Sequence, residues 1–250
     1  MVVKSFLATV LTLASFRASG ATFTVINTND VGAGSLRQAI TDANVTPSNT
    51  VAFNIPGGIV RDIYLFTALP VITNAMTIDG FTQPGSTSNT IATYGNNSTL
   101  MVNIHPSAQG LGGINVLTNF VTIRGLGFRQ YQVAAVYLQS GNSNIVEGCQ
   151  FGTDAAGLLD WGNGYMPVRI SSSFNRIGGT NAWQHNIMGF NGGAGVGVFS
   201  GTNNAILGNS IFATDGLGID LDYNQRTPND SDDSDTGATS CAKSNCYPGR

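Results

Sequence analysis

The sequence predicts an all-β fold, a parallel β-solenoid of about three short strands per coil with an amphipathic helix over its N-terminal end. Three observations predict it. The composition starves helices, a short apolar–glycine pattern recurs through the second half, and one stretch near the start carries a helical stripe.

Of 250 residues, 10% are charged, against roughly 25% in ordinary globular chains. Glu147 is the sole glutamate, and lysine occurs only at Lys4 and Lys243. The residues that clothe exposed helix faces are therefore missing. The 32 glycines, with many Asn, Ser, Thr and β-branched residues, suit short strands joined by turns. The net charge of −3, without a basic stripe interleaved with aromatics, excludes a nucleic-acid partner.

The repeat emerges on aligning "VTIRGLGF" (121–128), "NIVEGCQF" (144–151), "NRIGG" (175–179) and "NAILGNSI" (204–211). One column is apolar: Ile123, Val146, Ile177, Ile206. Glycine follows two residues later, at Gly125, Gly148, Gly179 and Gly208, spaced by 23, 31 and 29 residues. Asn144, Asn175 and Asn204 precede it, set to stack as an internal amide ladder. A second column pairs Val136/Leu138, Val168/Ile170, Val196/Val198 and Ile219/Leu221, each an apolar–x–apolar strand core. Coils that cannot bury their own apolar face stack to do so. An antiparallel sandwich would need hairpins between successive strands and would not produce the asparagine–glycine column.

"GSLRQAITDAN" (34–44) is the one helix. Ser35 and Gln38 form a capping box, and Leu36, Ala39, Ile40 and Ala43 make an apolar stripe suited to closing an open solenoid end. Strands are expected at "TFTVINT", "TVAFNI", "DIYLF", "MTIDGF", "TLMVNI" and "GINVL". Arg124 and Glu147, on neighbouring rungs, are expected as a cross-strand surface pair.

The chain ends carry their own signals. Lys4, the apolar run 5–16 and the small residues before Ala21 read as a secretory signal over 1–20, so the mature protein is expected to be secreted or at the cell surface, without a membrane span. The β-helix is assigned to 21–226, with the capping helix near 35–44. Residues 227–250 form an acidic, cysteine-containing tail, with the solenoid expected to be truncated there and to self-associate through an uncapped end. Asp230, Asp232, Asp233 and Asp235 make either a calcium-ordered loop or a solvated acidic one. No other cofactor is expected. Cys241 and Cys246 are close enough in sequence to pair in an oxidising compartment. Cys149 is read as a packing residue, and His105 and His185 stand isolated in sequence.

The stretch "NTNDVGAGSLRQAITDAN", with "TVAFNIPG", "ALPVIT", "TIDGFTQPG", "FGTDAAG", "NRIGGT" and "LGIDL", resembles a family of secreted bacterial right-handed parallel β-helix proteins. Their N-terminal module is named for a Cys-Ser-Leu-Arg-Glu-Ala signature, where this chain has Gly34 for the cysteine and Gln38 for the glutamate. The resemblance spans residues 21–237 and implies a right-handed parallel β-helix of pectate-lyase-like architecture. It implies no activity, because fold and function are separable.

If the rungs stack as aligned, Tyr137, Arg169, Gly197 and Asp220 form one outward column, with Gln139, Ser171, Phe199 and Asp222 a step further along. Tyr137, Gln139, Arg169, Phe199, Asp220 and Asp222 are the candidate ligand-binding residues: rings for stacking sugars, polar groups for hydroxyls. The alternative is a plain solvated face. Asp220 and Asp222, in "GLGIDLDYN", are also the candidate catalytic pair. Two strand residues span about 6.6 Å, at the lower edge of the roughly 6.5–9.5 Å of inverting glycosidases, but no lysine or histidine is placed beside them. The expectation is a non-catalytic carbohydrate-interaction or adhesion module binding polysaccharide or cell-surface glycan. The alternative is a polysaccharide lyase or glycoside hydrolase.

Overall fold

The computed structural model describes residues 20–92, 95–154 and 158–222. The signal segment, the aspartates of the acidic run and the Cys241–Cys246 pair lie outside the described residues. Within them the chain winds through three parallel sheets in turn. The first has seven strands: Thr22–Val25, Asn49–Phe53, Met76–Asp79, Thr122–Arg124, Ile145–Glu147, Arg176–Gly178 and Ala205–Leu207. The second has six: Arg61–Leu65, Val102–Pro106, Gly127–Phe128, Gln150–Phe151, Ile187–Gly189 and Ser210–Phe212. The third has five: Ile114–Val116, Val136–Leu138, Val168–Ile170, Val196–Val198 and Ile219–Leu221. Each circuit is one coil, and pairing between coils is parallel throughout, which rules out the sandwich.

The registers match the expected columns. Ile123, Val146, Ile177 and Ile206 are direct partners, and Val51 and Ile78 extend the column two coils towards the N-terminus. The third-sheet pairs stack as read, preceded by Ile114/Val116. The second sheet contributes a column that its two-residue strands conceal in the sequence: Ile63, Ile104, Phe128, Phe151, Met188 and Ile211. Phe128 and Phe151 stack with centroids 5.1 Å apart. Apart from Ile206, Ile211, Ile219 and Leu221, which are partly buried, these columns are one continuous buried core.

The corners leading into the first sheet are built from a left-handed residue, followed at four of five of them by an asparagine. Ser48, Phe120, Ser143, Phe174 and Asn203 have φ between 58° and 68°, although such a conformation costs a non-glycine residue roughly 1–2 kcal/mol. The next residue is Asn49, Val121, Asn144, Asn175 or Asn204. Each asparagine Oδ1 accepts the backbone N–H one coil earlier: Val121 to Asn144 at 2.9 Å, Asn144 to Asn175 at 3.0 Å, Asn175 to Asn204 at 3.0 Å. Ala21 gives its N–H to Asn49 in the same way. Two further ladders stand at the other corners, through Asn163 and Asn191 and through Asn186 and Asn209. The glycine column is the left-handed half of the last of these, with φ of 70°, 60° and 62° at Gly125, Gly148 and Gly208. Gly179 departs from it. A 3-10 turn, Ala182–Gln184, is inserted before Asn186, and Gly178 takes the positive φ instead.

The helix Leu36–Ala43 fills the first coil, where the second and third sheets have no strand. Leu36, Ala39, Ile40 and Ala43 are buried as the stripe requires. The capping box is half formed. Ser35 Oγ accepts the Gln38 N–H, but the Gln38 carboxamide turns to Asp42 and the Ser35 N–H bonds to Gly32. Arg124 and Glu147 are direct register partners as expected, but Glu147 is buried and the two do not bond: Arg124 bonds Asp79 at 2.6 Å and Glu147 bonds Arg176 at 2.7 Å. Each guanidinium reaches its carboxylate on the rung before. Cys149 is buried and unpaired, and burial pushes its thiol up to about 12, so it is a packing residue and not a nucleophile.

Candidate functional site

On the third sheet, Asn115, Tyr137, Arg169, Gly197 and Asp220 stand in register. Arg169 Cζ lies 4.6 Å from the Tyr137 ring centroid and 4.0 Å from that of Phe199. Both rings pack against the guanidinium, and its Nε is buried without a hydrogen-bond partner, which leaves the Nη N–H groups for recognition. Tyr137 donates to Ser171 Oγ at 3.3 Å, and Gln139 accepts from Asn115 at 2.9 Å. A hollow of about 150 Å³ opens beside them, lined by Gly112, Gly113, Asn115, Val133, Tyr137 and Arg169.

Asp220 and Asp222 are not the matched wet pair that strand alternation predicts. Asp220 is 5% exposed and its Oδ1 has no hydrogen-bond partner. The strand stops at Leu221, and Asp222 turns left-handed, φ 64°, and is exposed. Among the described residues no ion pair joins Arg169 to Asp220. Gly197 lies on the rung between them, and Met166 and the Phe199 ring close over it.

The second sheet carries a cluster that sequence reasoning missed. Asp62 Oδ1 accepts from Asn103 Nδ2 and His105 Nε2, both at 2.9 Å. Tyr64 stacks on His105 with centroids 5.0 Å apart. Arg129, on the next rung, sits 5.5 Å over the Trp161 ring. Burial opposes the charged form of Asp62, but its bonds from Asn103 and His105, with Arg129 nearby, outweigh that and hold the carboxyl below its usual range. Burial likewise pushes His105 below the usual imidazole value, with Asp62 only partly opposing. The contact at neutral pH is therefore a neutral imidazole Nε2–H donating to a carboxylate. Aligning "RDIYL" with "VNIHP" would have exposed this cluster, because Asp62 pairs with Asn103 and Tyr64 with His105 in register.

Among the described residues, no three His, Cys, Asp or Glu side chains gather as a metal-binding group. No helix among them is long and apolar enough to cross a membrane.

Residues 112–231 match the family model of a right-handed β-helix region. The match covers the repeat in which the columns are legible, and coils from residue 20 to 111 extend the same stack. No curated protein matches the chain.

Proposed function

We propose that this protein is an exported β-helix that holds carbohydrate on the outward face of its third sheet without turning it over. The apolar run behind Lys4 and the small residues before Ala21 support export, as does the likeness to the secreted family with the Cys-Ser-Leu-Arg-Glu-Ala module. The observation that carries binding is Arg169, packed against Tyr137 and Phe199 beside an open hollow. No carboxylate pairs with it among the described residues. A guanidinium held so rigidly loses little freedom on binding. Its edge matches ring hydroxyls or a uronate carboxylate.

The enzyme alternative has one observation in its favour, the Asp62–His105 contact. Against it, His105 is almost wholly shut from solvent, its side chain 3% exposed, and its Nε2 is committed to Asp62. The test is a glycan array read beside reducing-sugar release and ultraviolet absorbance of unsaturated products. The expected result is binding that Arg169→Ala abolishes, with no product. Turnover that disappears in Asp220→Asn/Asp222→Asn or in His105→Gln would make the enzyme reading correct.

A further inference from the structure

Between the loop 28–31 and the outward face of the strand Arg61–Leu65 lies a cleft of about 630 Å³, lined by Thr28, Asn29, Asp30, Asp62, Tyr64 and Phe66. That volume is in the range of small-molecule sites. Tyr64, on the strand, and Phe66, in the bend just after it, both line the cleft. They remain 49% and 68% exposed, which is costly for two large rings side by side unless something covers them. His105 backs Tyr64 from the following rung, and among the described residues no strand of the second sheet precedes it. The other ring face therefore looks into the cleft.

The polar groups of the cleft are fixed in advance. Asp62 Oδ1 is pinned by Asn103 and His105, while Oδ2 takes no hydrogen bond among the described residues, and the side chain is 38% exposed. Asp30 is tied to Arg37 at 2.7 Å. Three more Arg37 N–H groups go to the carbonyls of Asp30, Thr67 and Ala68. Four of the five Arg37 donors are thus engaged, and although Arg129 lies near Asp62 and Tyr64, the two carboxylates that line the cleft disfavour an anionic ligand.

We infer that this cleft is a second carbohydrate site, selective for uncharged sugars, which stack a C–H face on Tyr64 and Phe66 and donate hydroxyl hydrogens to Asp62 Oδ2. It lies on a different sheet from Arg169, so the two readings stand or fall separately. The test is calorimetric titration of the full chain with uncharged oligosaccharides (cello-, xylo- and manno-oligomers) and with oligogalacturonate. An uncharged oligomer is expected to bind. Tyr64→Ala and Phe66→Ala should each weaken it about tenfold, Asp62→Asn should also weaken it, and Arg169→Ala should leave it unchanged. Both rings are exposed, so these variants should fold, and an unshifted thermal midpoint verifies that. The inference is overturned if no uncharged oligomer binds the parent, if both ring variants bind as the parent does, or if oligogalacturonate is the ligand that Tyr64→Ala loses. Loss of all binding in Arg169→Ala alone also overturns it and leaves the third-sheet reading standing. Loss in Tyr64→Ala alone does the reverse.

Discussion

Asn175→Ala tests whether the corner ladder holds the coils in register. The side chain is 1% exposed. Its Oδ1 accepts the Asn144 N–H at 3.0 Å, and its Nδ2 donates to Ser172 Oγ at 3.0 Å and Asn204 Oδ1 at 2.9 Å. Truncation leaves the Asn144 N–H buried without an acceptor, which costs about 1–3 kcal/mol. Ser172 keeps a bond to Leu138 O, and Asn204 Oδ1 keeps the Asn175 backbone N–H, so losing the Nδ2 bonds adds only about 1 kcal/mol. The total is about 2–4 kcal/mol, measured by urea denaturation. The control is Asn119→Ala. Asn119 makes the same kind of bond, Oδ1 to the Asn142 N–H at 2.6 Å, but on the exposed surface, where water takes its place. The control should lose less than about 1 kcal/mol. Equal losses in the two variants would refute the argument, because the bond would then matter and its burial would not.

Leu36→Asp buries an unpaired carboxylate between the helix and the first coil and should sharply lower the thermal midpoint and soluble yield; a variant that melts like the parent would refute the capping role. Because burial holds His105 below the ordinary imidazole value, the unfolded chain binds the proton first, so stability should fall as pH drops below about 6.5. The depressed Asp62 adds a further loss below the ordinary carboxylate value. His105→Gln should flatten the first slope in denaturation midpoints taken across pH, and an unchanged slope would refute that assignment.

The solenoid was legible where its coils are regular. Between Val146 and Ile206 the insertions are short, so the apolar columns can be aligned by eye. Val51, Ile78 and Ile123 share that column, but residues 80–101 interrupt the spacing between the last two with a 3-10 turn, Gly80–Thr82, and the bridge Thr87–Thr99. The second sheet was hidden because Gly127–Phe128 and Gln150–Phe151 are too short to show a period of two. The same interruption concealed the Asp62–His105 contact, which joins residues 43 apart on adjacent rungs. Alternation placed Tyr137, Arg169 and Asp220 in one column correctly and failed at Asp222, because a period of two holds only while the backbone stays extended. It could not foresee that Arg169 would occupy the faces of the rings expected to stack sugars.

The asparagine ladder has a direction. Every Oδ1 in it reaches back to an amide of the coil already laid down, so each coil completes its predecessor and depends on its successor. A chain emerging from the ribosome meets that requirement in order: the helix-closed first turn is available before anything is stacked on it, and each later turn arrives with the acceptor that the one before lacks. Such a molecule grows by templating from one end, and a block in a middle coil strands everything after it while leaving the earlier turns intact.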